Sequence, residues 1–331
     1  MTASYRSFAQ QSAHYMDRPH IGAPTKPIKN AAAWYGPDIE ADASQWSYRL
    51  TTSESTEIYD AIVRLREANT ELGAVTRENF FLPTLASQIK AWRQDIMEGF
   101  GLKLIRGLPV KEWSYDEVCY AFWGLGHHLG IPGAQNPDNE LLGHVKDYGE
   151  TADNPFVRLY RTASHIRYHC DACDIVGLLC LQPAVSGGAS RVVSTVTLFN
   201  ELMSVHPDLA SRVCEPFRLD RRGETKPGQL PYSMVSPAQF ANGKLQTFYH
   251  SDYFRSIERH ENLVLTDAEK TILDFYDERG LSPELYLDMQ LESGDIQFLS
   301  NHTIAHSRTA YTDHEDPEKQ RHLLRLWLSA E

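Results

Sequence analysis

Cysteine is scarce in this chain, and its few occurrences do not build a framework. Cys119, Cys170, Cys173, Cys180 and Cys214 are scattered through 331 residues. An odd count at irregular spacing does not describe a disulfide-stapled secreted domain. One C-x-x-C is present, Cys170 to Cys173, with no second pair at the spacing that structural zinc requires. A thioredoxin-like site would open a helix, whereas this pair runs into an apolar stretch at 175–181. Small buried thiols are the plain alternative.

Long apolar runs are also missing. The first residues, MTASYRSFAQQSAHYMDRP, hold no apolar core of signal-peptide length, and no segment approaches the roughly 20 apolar residues of a membrane span. The expectation is a soluble, cytoplasmic protein without a membrane partner. Positive charge is in deficit: the formal net charge is -12, the wrong sign for a nucleic-acid partner, which needs a basic face.

What remains is ordinary globular composition, 42% hydrophobic and 23% charged, in a chain long enough for one large domain or two. Residues 1–50, rich in Ala, Pro and Ser and without a clear period, read as an arm wrapping the body. Helical periods follow at 56–68 and 85–98, then a strand at 101–110 with Leu102, Leu104 and Leu108 inward. Ser114 with Glu117, and Thr266 with Glu269, are capping boxes that open two more helices, stopped by Gly130 and Gly280. His127 and His128 fall at the end of the first of these, where a cation complements the helix dipole. A helix is expected at 197–209, and the charged, Gly/Pro-containing segment 215–233 reads as a mobile loop or hairpin able to cover a cleft.

Chemistry gathers around 168–190, YHCDACDIVGLLCLQPAVSGGAS. In an extended strand His169 and Asp171 project from one face. A neutral imidazole beside a carboxylate makes two-thirds of a facial triad for iron(II). The segment 158–167 reads as the strand leading in, which would put His165 on the face of His169. A rival H-x-D stands at His250 and Asp252. Near the C-terminus, the strand RHLLRLWL carries Arg321 and Arg325 among apolar residues. A buried guanidinium needs an anionic partner, either a carboxylate co-substrate or an internal Asp or Glu.

Five motifs in order resemble the taurine dioxygenase/clavaminate synthase-like family of iron(II)- and 2-oxoglutarate-dependent oxygenases, which includes γ-butyrobetaine hydroxylase. They are H-x-D at His169 and Asp171, the GLLCLQ run with GG-x-S ending at Ser190, and GDI-x-F from Gly294 to Phe298. N-x-x-x-x-H-S-R-T-A-Y from Asn301 to Tyr311 and the RHLLRLWL strand complete the set. The resemblance implies a mainly β fold with flanking helices, a double-stranded β-helix (jelly-roll, cupin-like) core. It places the catalytic domain at 95–331, with 1–94 as an arm and helices packing on it. His306, not His302, would complete the metal site with His169 and Asp171. Arg321 would take the distal carboxylate of 2-oxoglutarate, Ser190 would contact the same carboxylate, and Arg325 would reach the co-substrate or the substrate. His165, Gln135 and Asn136 fall near positions that line the substrate pocket. The acidic connection TDHEDPEKQ before Arg321 is longer than in the shorter relatives.

The implied activity consumes dioxygen and 2-oxoglutarate and releases succinate and carbon dioxide while oxidising a C–H bond. The substrate would be a small polar or anionic molecule such as an amino acid, betaine, sulfonate or natural-product intermediate. Related halogenases lack the carboxylate, so Asp171 points to hydroxylation, with desaturation or cyclisation as other outcomes of the same chemistry. Many relatives associate, so a homo-oligomer is a possibility. Two different classes compete: a non-catalytic jelly-roll sensor, and a zinc hydrolase using His169, Asp171 and His306 that would leave Arg321 and Ser190 unexplained.

Overall fold

The computed structural model describes residues 4–136, 138–150, 157–223, 225 and 227–330. Two sheets lie face to face. The larger runs in the order Ser47–Arg49, Leu102–Arg106, Ile296–Ser300, Ile175–Gln182, His322–Ser329 and Ile131–Gly133, and Gly143–Val145 also pairs with the His322–Ser329 strand. Its pairs are antiparallel except the first. The smaller sheet is antiparallel throughout, in the order Tyr286–Met289, Ser190–Ser194, Ile304–Arg308 and Ile166–His169.

Strand alternation sorts side chains into layers. Ile175, Leu179, Phe298, Leu324, Leu326 and Leu328 face the helices Thr52–Glu67, Leu85–Glu98 and Tyr115–Leu129. Val176, Leu299, Leu323 and Trp327 point between the sheets, against Val192, Leu287 and Ile304 of the smaller sheet. Val193 and Ala305 face outward onto Thr195–Val205 and Asp267–Gly280. Three apolar layers thus bracket two sheets, and the layer between the sheets also receives Arg321 and Arg325, which share parity with Leu323 and Trp327.

The local signals act as their chemistry requires. Ser114–Glu117 and Thr266–Glu269 form reciprocal capping boxes. A third box, Ser7 with Gln10, opens the helix Phe8–Met16 inside the segment expected to be an irregular arm; its Gln11 and Tyr15 are buried. Leu108 is buried too, but on the helix side, opposite Leu102 and Leu104. His128 is a buried structural residue whose Nε2 lies 2.8 Å from the Phe80 carbonyl. Segment 215–233 is a hairpin of Phe217–Asp220 and Tyr232–Val235; Glu224 and Lys226 of that segment lie outside the described residues. All five cysteines are free and buried. No helix among the described residues is long and apolar enough to cross a membrane.

The expected strand at 158–167 is corrected. Leu159–Arg161 is a single 3-10 turn, and the strand begins only at Ile166. Pairing with Ile304–Arg308 then slips by one residue, since His306 faces His169 but Arg308 faces Ile166. This bulge reverses the alternation: Ile166 and His169 both point inward, and Tyr168 joins the outer apolar layer.

Candidate active site

His169, Asp171 and His306 converge between the sheets, their ligating atoms all within 4.8 Å of one another. Among the described residues this is the one His/Cys/Asp/Glu group able to hold a metal ion. Inward alternation continues past the end of the strand: Cys170 packs in the outer layer while Asp171 turns in, its backbone N–H donating to Asn301 Oδ1 at 3.0 Å. Asn301 Nδ2 in turn lies 3.1 Å from Cys173 Sγ. The N-x-x-x-x-H segment therefore supplies both a ligand and the residue that positions another.

The donor set fits a divalent metal. Asp171 Oδ2 is buried without a hydrogen-bond partner and lies 3.7 Å from His306 Nε2. His169 Nδ1 lies 2.9 Å from the Arg167 carbonyl, an acceptor that fixes the proton on Nδ1 and leaves the Nε2 lone pair free. Burial, reinforced by His306, pushes His169 down to about 4, so the imidazole is neutral at pH 7. Burial opposes ionisation of Asp171, but Arg325, with His306 and His169, outweighs it and holds the carboxyl well below its usual range. Two imidazoles and one carboxylate on one side of an ion form the facial triad of non-haem iron sites.

Beside the triad, a cavity of about 50 Å³ is lined by Ser190, Arg308, Arg321 and Arg325 together with Val176, Leu178, Leu291 and Leu323. Arg325 is accounted for: its Nη1 lies 3.5 Å from Asp171 Oδ1, its Nε donates to Gln135 Oε1 at 2.8 Å, and it packs on Tyr160 and Trp327. Arg321 and Arg308, each 5% exposed, form no ion pair with any described residue. Arg321 Nη1 and Arg308 Nε and Nη1 are buried without hydrogen-bond partners. Burial, then Arg321, pushes Arg308 down to about 10. A second cavity, about 180 Å³, adjoins on the other side of His169 and Asp171. Its walls include Phe8, Tyr160, Phe248, Tyr253 and Trp327 and the charged Arg158, Arg167, Arg222 and Asp252.

Several expected residues sit elsewhere. His165, left on the outer face by the bulge, lies 3.4 Å from Ser307 and lines neither cavity. Gln135 lines neither cavity and acts through Arg325, whereas Asn136 bonds to Glu140 at 2.9 Å, away from the triad. His302 is taken by Asp174 at 2.6 Å. The rival pair belongs to no metal-holding group among the described residues: both side chains line the larger cavity, His250 with its ring 5.3 Å from that of His169 and Asp252 pairing with Arg167 at 3.6 Å. Sequence reasoning gave no role to Arg308 or Gln297. Both stand inside recognised motifs, at positions whose parity with His306 and Leu299 could have indicated inward side chains.

The chain is 31% identical over 310 residues to the FR-33289 synthase of Streptomyces rubellomurinus, covering 92% of this chain and 91% of that protein. It is 25% identical to the taurine hydroxylase-like protein SAT17 of Stachybotrys chartarum, covering 90% and 79%. Among solved structures it superposes on an asparagine oxygenase in complex with Fe(II), 2S,3S-3-hydroxyasparagine and succinate, with TM-score 0.68, 14% identity and coverage of 86% and 93%. It also superposes on the non-heme iron oxygenase OrfP with Fe and alpha-ketoglutaric acid, with TM-score 0.64, 15% identity and coverage of 86% and 94%. Residues 64–327 match the model of the taurine catabolism dioxygenase TauD, TfdA family, and the chain belongs to that family of iron- and 2-oxoglutarate-dependent dioxygenases.

Proposed function

We propose that this chain hydroxylates a C–H bond of a small polar or anionic molecule, with His169, Asp171 and His306 holding iron(II) and Arg321 holding the distal carboxylate of 2-oxoglutarate. Residues 95–331 form the catalytic unit in this reading, with 1–94 packed on it. The observation that carries it is the junction of a triad of metal-ligand type with a buried arginine pocket in which, among the described residues, the ligand Asp171 is the one lining carboxylate and pairs with Arg325, leaving Arg308 and Arg321 without an ion-pair partner. Burying guanidinium groups without a counterion is costly, so the pocket is built for an anion that arrives with the reaction.

Bound iron(II) would supply dioxygen activation coupled to conversion of 2-oxoglutarate to succinate and carbon dioxide. The chain's own residues do the rest. The Arg167 carbonyl and Asn301 orient His169 and Asp171. Arg325 keeps Asp171 ionised and is itself aimed by Gln135. Leu291, Leu323 and Val176 line the co-substrate end and keep water from it. The substrate would occupy the larger cavity, whose arginines suit a negative group and whose aromatic rings suit an apolar body. The solved asparagine oxygenase, whose complex holds a hydroxylated amino acid and succinate, supports a substrate of that size.

The test is anaerobic addition of iron(II) and then 2-oxoglutarate to the purified protein. The expected result is a weak visible charge-transfer band that is lost in Asp171→Ala and His306→Ala. Iron binding without a band would defeat the co-substrate assignment.

A further inference from the structure

We infer that Arg308 is the second cation of the 2-oxoglutarate subsite, donating with Arg321 to the same distal carboxylate in place of Ser190. The inference rests on the proposed function and specifies how the co-substrate is held.

Arg308 lies two residues beyond His306 on the Ile304–Arg308 strand and shares its inward face. It lines the smaller cavity with Arg321. One nitrogen, Nη2, is occupied by the carbonyls of Thr162 and Ser164. These bonds anchor the head group and leave Nε and Nη1 buried and unpartnered. Arg321 contributes a third unpartnered nitrogen, Nη1, and is confined from the other side by the Gly187-Gly188 turn. A Cβ on Gly188, which adopts φ +70°, would stand 3.0 Å from Arg321 Nε. Buried N–H donors normally find partners, and here three donor nitrogens from two cations border one cavity. A carboxylate offers about four lone-pair sites, enough to satisfy all three, and charge-assisted bonds of this kind are among the strongest available.

Ser190 is poorly placed to be the second donor. Its hydroxyl donates to Gln297 Oε1 at 2.9 Å. The Gln297 amide is held in that orientation by Met289, because Nε2 donates to Sδ at 3.3 Å and a thioether can only accept. The serine proton is committed, and what Ser190 turns toward the cavity is lone pairs. A carboxylate needs donors, and Arg308 supplies them.

The experiment is anaerobic calorimetry on the iron(II)-loaded protein with two co-substrate probes, 2-oxoglutarate and 2-oxovalerate. The second keeps the 2-oxo acid end and the chain length but lacks the distal carboxylate. Hydrogen bonds to charged groups of this type correspond to roughly 10- to 100-fold in affinity. Arg308→Gln is expected to weaken 2-oxoglutarate by that factor and to change 2-oxovalerate by less than about twofold on the same scale. Ser190→Ala should leave both within about twofold. Equal weakening of both acids in Arg308→Gln would mean that the residue only staples the 162–164 turn, and would overturn the inference. So would a large loss for 2-oxoglutarate in Ser190→Ala with none in Arg308→Gln. If the Gln variant does not fold, Arg308→Lys keeps a cation but loses the guanidinium fork, and should weaken 2-oxoglutarate more than 2-oxovalerate; equal effects on the two acids would overturn the inference. Wild-type protein that binds iron(II) but not 2-oxoglutarate would instead defeat the proposed function, and needs no variant to detect.

Discussion

Asn301 illustrates how much of a metal site lies outside its ligands. Its side chain accepts from the Asp171 backbone N–H and reaches Cys173 Sγ, tying the loop after the His169 strand to the turn before His306. Removing such a support typically costs 10- to 100-fold in metal affinity, because the carboxylate must then be ordered when the ion binds. Asn301→Ala should therefore retain its fold but lose about 10-fold or more in iron(II) affinity by chelator competition, and wild-type affinity would show that Asp171 is held by other means. Arg321→Ala separates the two ligands of the site: it should weaken 2-oxoglutarate at least about 10-fold by titration and leave iron(II) binding unchanged. If Arg325→Ala shows that pattern instead, the two arginines have exchanged roles. The ligands were legible because H-x-D and the distal His keep their chain order. The supporting roles were not, since whether Asn301 or Gln297 faces a partner depends on parity across strands distant in sequence.

At the scale of elements, one slipped residue decides what the active site contains. The even spacing of His165 and His169 suggests a shared face, but the argument holds only in an unbroken strand. The bulge opposite His306 and Arg308 sends Tyr168 and His165 outward and keeps His169 inward. A backbone irregularity of this kind has no signature in side-chain pattern. The helix Phe8–Met16 was missed for a different reason: its Ser7–Gln10 cap is present, but nine residues of mixed character carry too little periodic signal. Gly177 shows the converse, a small residue required by packing. In the strand Ile175–Gln182, a Cβ at this position would stand 2.7 Å from the Phe298 ring and 3.1 Å from that of Phe122, both buried. Gly177→Ala should lower unfolding free energy by about 1–3 kcal/mol, read from the urea midpoint, while the ligand residues keep their iron(II) affinity. A midpoint equal to wild type would mean that the sheet and the helix Tyr115–Leu129 can separate freely to admit the methyl.

Across the whole molecule, buried histidines set the acid limit. Asp174 gathers three distant segments, accepting from the Ala330 N–H at 2.7 Å and pairing with His14 at 2.9 Å and His302 at 2.6 Å. Elsewhere burial, reinforced by His128, pushes His127 down to about 4, and burial, reinforced by His144, does the same to His322. Unfolded histidine titrates near 6.5. Between pH 6.5 and 4 the unfolded chain therefore binds more protons than the native one, so stability rises with pH across this window. The contribution is complete above pH 6.5 and is lost as pH falls toward 4. Iron-free protein should show a melting temperature that is flat near neutrality and drops steeply below pH 6.5. Its slope should be reduced, though not abolished, in the double variant His127→Gln and His322→Gln, because His169 is also held neutral by burial. A double variant that falls as steeply as wild type would place the acid sensitivity at the triad and the Asp174 junction, and iron(II) should then protect against acid far more than His127 and His322 allow.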